Sequence, residues 1–424
     1  MLRNIIKNSL ITSLPSIFSL FLSLFCVPVF LREIGMQNYG EYIFVHLLTS
    51  LGLILNLGVG KLLIVNSVNK KRDFFCNAIL ITTFISTIFF LILYSILSFV
   101  NILNQKIVFI IIGISLTIIY YTVESNLILK RNFRLLSLFN FSFFAFSLNI
   151  PIIIKIIFKF EVTLHQLIFI SLLVKSLILL LFLFQQIFEI KKIKLINFKE
   201  YLKNLKYGIW YSGSNVLLMS YAYLDKYFIK FYLNSSALAI YSIPQQICGK
   251  MNILSKAIST VFLPEIKSKK SHISYNKVIN IYFFIFFPTL LISFNFFDEL
   301  LVLWLNENYN VKIYTLTKVF ALVYFFSSFS EIIIAEFEAT KKIDKIAKIE
   351  GLIFPIFLVV LFFIFTKFRN ENAIFNVAYF LLLKEFVFAN IKIFYSSFLT
   401  KKYLKLTYAT LIFLIGSISV NYIK

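Results

Sequence analysis

Long unbroken apolar runs alternate along this chain with short polar interruptions, most of them basic. A bilayer core of ~30 Å takes about 20 apolar residues of helix, with a working range near 17–25. Runs that meet or approach this length cover 9–31, 42–60, 74–100, 107–123, 135–154 and 163–188, then 208–224, 237–263, 278–297, 313–334, 351–368 and 373–398. A last run, 406–420, is short. The pattern predicts an all-α integral membrane protein with twelve transmembrane helices and a short thirteenth candidate. Barrel strands would be ~10 residues of alternating polarity, whereas these runs are about twice as long and apolar on every side. Arg3 and Lys7 precede the first run, but it exceeds the ~7–15 residues of a signal-peptide core and no small-residue cleavage site follows. It reads as an uncleaved first helix.

The polar interruptions set the orientation. With the N-terminus in the cytoplasm, the cytoplasmic segments hold 25 of the 42 Lys and Arg residues and the outer loops hold 10. That is the bias expected of cytoplasmic loops. No loop is long enough to be a domain. The longest, Glu189 to Tyr207, is basic and divides the chain almost in half. The expected organisation is a six-helix bundle over 1–188, a basic cytoplasmic linker over 189–207, a second six-helix bundle over 208–398 and a C-terminal segment, 399–424, with the possible extra helix.

The two halves echo each other at an offset of 199 residues. Ile34 falls on Leu233, Gly40 on Ala239 and Tyr42 on Tyr241. Each region reads as an apolar helix end, a polar turn, a small residue and a tyrosine opening the next helix. An even number of helices per half leaves both halves in one orientation. Such parallel repeats are related by an axis along the membrane normal, with the substrate path between them.

Composition changes little in this picture. The chain is 60% hydrophobic and 14% charged, far from the roughly quarter-charged average of soluble domains. A net charge of +23 would point to nucleic acid in a soluble protein; here the basic residues sit between apolar runs and follow the membrane rule, so no nucleic-acid partner is expected. Cys26, Cys76 and Cys248 have neither disulfide-framework nor metal-ligand spacing. There is no phosphate-binding glycine loop: Gly249-Lys250 lacks the upstream glycine. His46, His165 and His272 are far apart in sequence. No catalytic constellation, cofactor or metal site is expected, and the chain reads as a transporter rather than an enzyme.

The informative residues are charges inside apolar runs, which cost at least ~2.5–3.5 kcal/mol each at the bilayer centre and therefore face a partner or a watery cavity. They are Lys61, Lys155, Lys175, Lys250, Lys256, Lys384 and Lys392, with Glu331 and Glu385; Arg32, Glu124, Asp225, Lys226 and Lys230 stand at helix edges. Lys61 and Lys392 either snorkel to the cytoplasmic surface or serve an interior site, and Lys155 has the same choice toward the outside. Lys384 and Glu385 point ~100° apart on a helix and need not pair. Lys250 and Lys256, six residues apart, do not share a face of a regular helix. The excess of cations suits an anionic substrate such as a lipid-linked diphosphate. Candidate substrate-binding residues are Arg32, Lys61, Lys175, Asp225, Lys226, Lys250 and Lys256. Glu331 is the ion-coupling candidate, with a simple ion pair as the alternative. Tyr211, Tyr221, Tyr223 and Tyr241 either stack on sugar rings or belong to interfacial belts.

The hinge Leu31-Arg32-Glu33-Ile34-Gly35, followed by Tyr39-Gly40-Glu41-Tyr42, resembles the start of the Wzx-type O-antigen and polysaccharide repeat-unit flippases of the multidrug/oligosaccharidyl-lipid/polysaccharide exporter superfamily. Asp225-Lys226, Ala239-Ile240-Tyr241-Ser242, Ala257-Ile258-Ser259 and Phe262-Leu263-Pro264 carry the resemblance into the second half. It implies a bacterial inner-membrane protein that moves an undecaprenyl-diphosphate-linked oligosaccharide to the periplasmic leaflet by alternating access, driven by ion coupling or membrane potential. Implied partners are membrane lipid, a polysaccharide polymerase and a chain-length regulator. Two other classes share the general plan. A repeat-unit polymerase should show one large periplasmic loop, yet the longest outer loop here runs only from about Asp298 to Lys312. A drug/cation antiporter should carry carboxylates rather than lysines in its cavity.

Overall fold

The structure is a computed structural model that describes residues 2–56, 59, 71–100, 104–159, 161–188, 216–217, 220–253, 255–256, 259, 294, 296–339, 343–368, 370 and 372–400. Among these residues all regular structure is helical. The elements are α1 (Leu2–Thr49), α2 (Gly52–Leu55), α3 (Lys71–Phe99), α4 (Gln105–Leu129), α5 (Phe133–Asn140), a π-helical turn (Phe141–Phe146), α6 (Ser147–Phe158) and α7 (Leu164–Phe188). There follow α8 (220–232), α9 (Ser235–Cys248), a 3-10 turn (Gly249–Met251), α10 (296–305), a second 3-10 turn (Asn306–Asn308), α11 (Val311–Ala339), α12 (Ile343–Lys367) and α13 (Asn372–Thr400).

Eight helices among the described residues are long and apolar enough to cross a membrane. The all-α membrane class read from the apolar runs therefore holds. Lys61, the linker 189–207 and the run 406–420 lie outside the described residues, as do most of 208–224 and 278–297. The chain packs into two compact units, one of Phe21–Leu224 and one of Met1–Leu20 with Asp225–Lys424.

In the unit of Phe21–Leu224, α4 packs on α3 and α7, and α7 on α6 and the π-helical turn. Gly52 lets α2 close on α4: a Cβ there would lie 2.5 Å from the Ile114 carbonyl oxygen, the small-residue contact that membrane helices use. The span Ala78–Phe99 is only 11% buried. Leu80, Phe84, Leu91, Ile92 and Phe99 are all exposed on it, as befits a helix whose solvent is hydrocarbon. In the other unit, α11 packs on α9 and α13, and its span Val311–Ile334 is 72% buried. Here the apolar side chains serve a protein core, including Phe320, Phe325 and Phe326.

The first hinge differs from the polar turn expected over 32–41. Helical backbone continues on both sides, and only Gly35 leaves it, at φ 78 and ψ 162. An L residue is strained at positive φ, which is why a glycine makes this break. The second hinge is Leu233-Asn234, where the Asn234 side chain caps α9 by accepting from the Ala237 N–H at 2.7 Å. At the 199-residue offset, Gly35 falls on Asn234. The two breaks occupy the same position of the repeat, made by a residue free to leave the helix in one case and by a helix cap in the other.

Candidate functional site

Past each hinge a tyrosine and a polar residue four positions on share one helical face. In the first unit these are Tyr42 and His46 of α1. Their rings meet edge-on with centroids 4.5 Å apart, and the Tyr42 hydroxyl donates to the Leu148 carbonyl at 2.7 Å. A second pair spaced by four, Ser171 and Lys175 of α7, completes the cluster. Ser171 Oγ lies 3.2 Å from His46 Nε2, and Lys175 Nζ lies 3.4 Å from His46 Nδ1. Lys175 is 4% exposed, and its ammonium sits 5.6 Å from the centre of the Phe143 ring. Phe143 belongs to the π-helical turn, in which the Ser147 N–H reaches back five residues to Ser142. Such turns re-aim side chains and recur at functional sites.

A second polar group of this unit is built on α4. Asn140, the last residue of α5 before the π turn, donates to Glu124 Oε1 at 3.0 Å and accepts from the Tyr120 hydroxyl. Asn126 donates to Gln186 at 2.6 Å, and Asn56 donates to Thr122 at 3.1 Å.

In the other unit the corresponding pair is Tyr241 and Gln245 of α9. Both donate to one oxygen of Asp225, at 2.6 and 3.2 Å. The second carboxylate oxygen accepts the Lys226 N–H at 2.8 Å. Asp225 is 1% exposed and is held by three donors, as a buried charge requires.

Lys250 donates to Ser19 Oγ at 2.8 Å, and Lys256 is exposed. A 3-10 turn winds about 120° per residue against about 100° for an α-helix. The turn Gly249–Met251 therefore brings the two lysines nearer around the axis than six regular α-helical positions would. The backbone carbonyl of Glu331 accepts from Ser259 Oγ at 3.2 Å, and the residue is half-buried.

Other intramembrane charges behave differently from expectation. Lys392 does not snorkel: it pairs with Glu350 at 3.0 Å, both nearly inaccessible. Lys384 and Glu385, although adjacent, pair at 2.8 Å, because long flexible side chains can bridge the 100° between their Cα–Cβ vectors. Lys155 binds Glu33 across the hinge, at 3.4 Å to its carboxylate and 3.1 Å to its carbonyl. Arg32 is exposed and pairs only with the neighbouring Glu33.

The candidate residues are thus divided between the units. Arg32 and Lys175 belong to the first; Asp225, Lys226, Lys250, Lys256 and Glu331 belong to the second. Five charged side chains are buried among the described residues: Lys175, Asp225, Glu350, Lys384 and Lys392. Four have opposite charges or several donors around them. Lys175 alone meets only neutral groups, an imidazole nitrogen and an aromatic face. His46 was not a candidate in the sequence, because the three histidines look isolated there. The repeat held the signal: four residues past the Tyr42–Tyr241 match, His46 falls on Gln245, and both turn toward an ionisable side chain.

A family model described as polysaccharide biosynthesis protein matches residues 29–314, more than half of the chain. The chain belongs to the polysaccharide biosynthesis protein family. Within it, a relative from Shigella flexneri named "Putative O-antigen transporter" is 22% identical over 175 residues, 40% of this chain and 42% of that relative's length. Solved structures share the fold. A multidrug resistance MATE family transporter of the MOP superfamily, in an outward-facing conformation, aligns with TM-score 0.66 at 12% identity, covering 93% of this chain and 97% of that one. A MOP superfamily transporter from Pyrococcus furiosus aligns with TM-score 0.67 at 12% identity, covering 91% of this chain and 94% of that one. The family resemblance read from the two hinges is borne out, and this member of the polysaccharide biosynthesis family is a multi-pass protein of the bacterial inner membrane.

Proposed function

We propose that this chain is a flippase that carries an undecaprenyl-diphosphate-linked oligosaccharide across the inner membrane by alternating access. Family membership supports a role in polysaccharide export. The observation that carries the anionic substrate is Lys175, the one buried charge among the described residues with neither an opposite charge nor a full set of donors or acceptors around it. A buried cation without a fixed counter-charge is costly, and a diphosphate supplies what the site lacks. Lys250 and Lys256, two cations six residues apart, add a second place where an anion can be held. Arg32, Lys61 and Lys226 remain peripheral candidates, and Glu331 remains the candidate for ion coupling. Export of a cationic drug would need a carboxylate open to its substrate. Among the described residues the two fully buried carboxylates, Asp225 and Glu350, are engaged by Tyr241 and Gln245 and by Lys392.

A cell lacking the chromosomal copy and carrying Lys175→Ala, Lys250→Ala or Lys256→Ala tests this. Surface polymer should fall and lipid-linked repeat units should accumulate in the inner leaflet, with the protein still present in the membrane. A lost contact between a cation and phosphate is worth about 1.5–3 kcal/mol. Wild-type surface polymer in all three variants and in the triple variant would defeat the anionic-substrate reading. A polysaccharide polymerase and a chain-length regulator are the expected partners downstream of the translocated substrate.

A further inference from the structure

The hydrogen bonds around His46 fix where its proton sits. Ser171 Oγ donates to the Ile168 carbonyl at 2.8 Å. The Tyr42 proton goes to the Leu148 carbonyl. The single hydroxyl proton of Ser171 thus goes to the Ile168 carbonyl, and its lone pair faces His46 Nε2. That nitrogen is the N–H donor, which leaves Nδ1 unprotonated to accept from the Lys175 ammonium 3.4 Å away. The arrangement holds one proton between the two side chains. A second proton makes the imidazole a donor at both nitrogens. Two donors, both cationic, then face each other and the contact breaks.

Among the described residues, no other charged side chain contacts this pair. The carboxylates on the elements of this unit that pack around it are engaged elsewhere: Glu33 by Lys155 at 3.4 Å, Glu41 by Lys106 at 3.7 Å and Glu124 by Asn140 at 3.0 Å. The titratable groups closest to the imidazole are the Tyr42 phenol, against its ring, and the Lys175 ammonium. Cys26 and Tyr39 lie beside Tyr42, and Tyr120 is turned to Asn140.

We propose that His46 is a proton-operated positioning residue for Lys175. It latches the ammonium when neutral and releases it to an anion when it takes up a proton, so that anion binding at Lys175 is linked to proton uptake. This rests on the flippase reading above and deepens it by naming the residue and the ion that control the substrate-binding cation. The latch is a hydrogen bond to a side-chain acceptor, so its removal and its permanent closure have opposite signs. His46→Ala leaves Lys175 released at every pH. His46→Gln offers an amide oxygen that accepts at every pH.

The test uses the full chain in lipid nanodiscs and a farnesyl-diphosphoryl hexose as probe. The probe's diphosphate is a diester and gains or loses no proton between about pH 4 and 9, unlike a phosphate monoester. The wild type should bind it about tenfold more tightly near pH 4.5, low enough for His46 to take a second positive charge beside the ammonium, than near pH 6.5, where Lys175 is still charged. His46→Ala should bind tightly at both values, and His46→Gln weakly at both. Lys175→Arg should keep binding, because the charge remains. A readout independent of substitution at the site is the nitrogen-15 spectrum of histidine-labelled wild-type protein, with His165 and His272 removed for assignment. It should show His46 protonated at Nε2 and bare at Nδ1 near pH 8. A proton on Nδ1 there overturns the proposal. So does an equal affinity at all pH values shared by wild type, His46→Ala and His46→Gln, an outcome that leaves the flippase reading standing. A protein that binds no probe at any pH fails the flippase reading and takes the latch with it.

Discussion

The two hinge clusters are the same device finished in two ways. At the 199-residue offset, Tyr42 answers Tyr241, His46 answers Gln245 and Cys26 answers Asp225. In the second unit the tyrosine and the amide converge on a carboxylate that is part of the helix pair itself, and the charge is closed by three donors. In the first unit the position of that carboxylate is held by Cys26, a small and fully buried thiol. The polar face turns instead to Lys175 on α7, whose charge no acid closes among the described residues. Where a buried charge is closed within the protein it contributes to holding the fold. Where it is left open it is available to something that comes and goes.

This contrast can be broken most strongly at the closed charges. Lys392→Met leaves Glu350 buried without its cation, and removal of one partner of a buried pair costs about 3–5 kcal/mol. Thermal unfolding of the purified protein should show a large loss of stability, and a melting temperature equal to wild type would remove Glu350–Lys392 from the account of this unit's packing. Lys175→Met is the mirror experiment. It removes a charge and leaves behind only the neutral His46 acceptor, so stability should hold or rise while surface polymer is lost; a large fall in melting temperature would mean that Lys175 is a structural residue.

Asp225→Asn sharpens the comparison at the hinge itself. The amide keeps one acceptor but gives up the charge received by the Tyr241 hydroxyl and the Gln245 amide, and hydrogen bonds to charged groups are worth about 1.5–3 kcal/mol. Destabilisation in that range, with Asp225→Glu milder, is expected in denaturant or thermal titration. At the backbone, Gly35→Ala places an L residue at positive φ and should cost about 1–3 kcal/mol, although no atom lies within 4 Å of the added Cβ. The smallest effect belongs to the partner hinge. Asn234→Ala loses only a helix cap, typically about 1 kcal/mol, and Asn234→Gly a few tenths. Equal costs at residues 35 and 234 would show that the two breaks are made by the same means.

Much of the fold was legible along the chain, because the length of an apolar run is a local property and a bilayer imposes one length scale on it. Seven of the eight spanning helices described here each overlie one run visible by inspection, the eighth, Ile17–Thr49, joins parts of two, and the repeat offset located both hinges. The kind of hinge was less legible. A stretch from Arg32 to Glu41, rich in polar residues, reads as a turn, yet helix persists there because Gly35 alone absorbs the change of direction. The intramembrane charges show the same division. Their presence and positive excess were plain, while Lys155, Lys384 and Lys392 became ion-paired residues only once Glu33, Glu385 and Glu350 were placed beside them.

By itself, then, the amino-acid order determined the helical membrane class, the repeat and the list of costly charges, since each follows from hydrophobic length, periodicity and the price of burying a charge. Tertiary structure alone decided which of those charges are closed. Glu350 is 42 residues from Lys392 and His46 is 129 from Lys175, so no local pattern links them. The reach of a side chain across packed helices set which cations were matched by acids, and left Lys175 against the one nitrogen of His46 that has a lone pair to give.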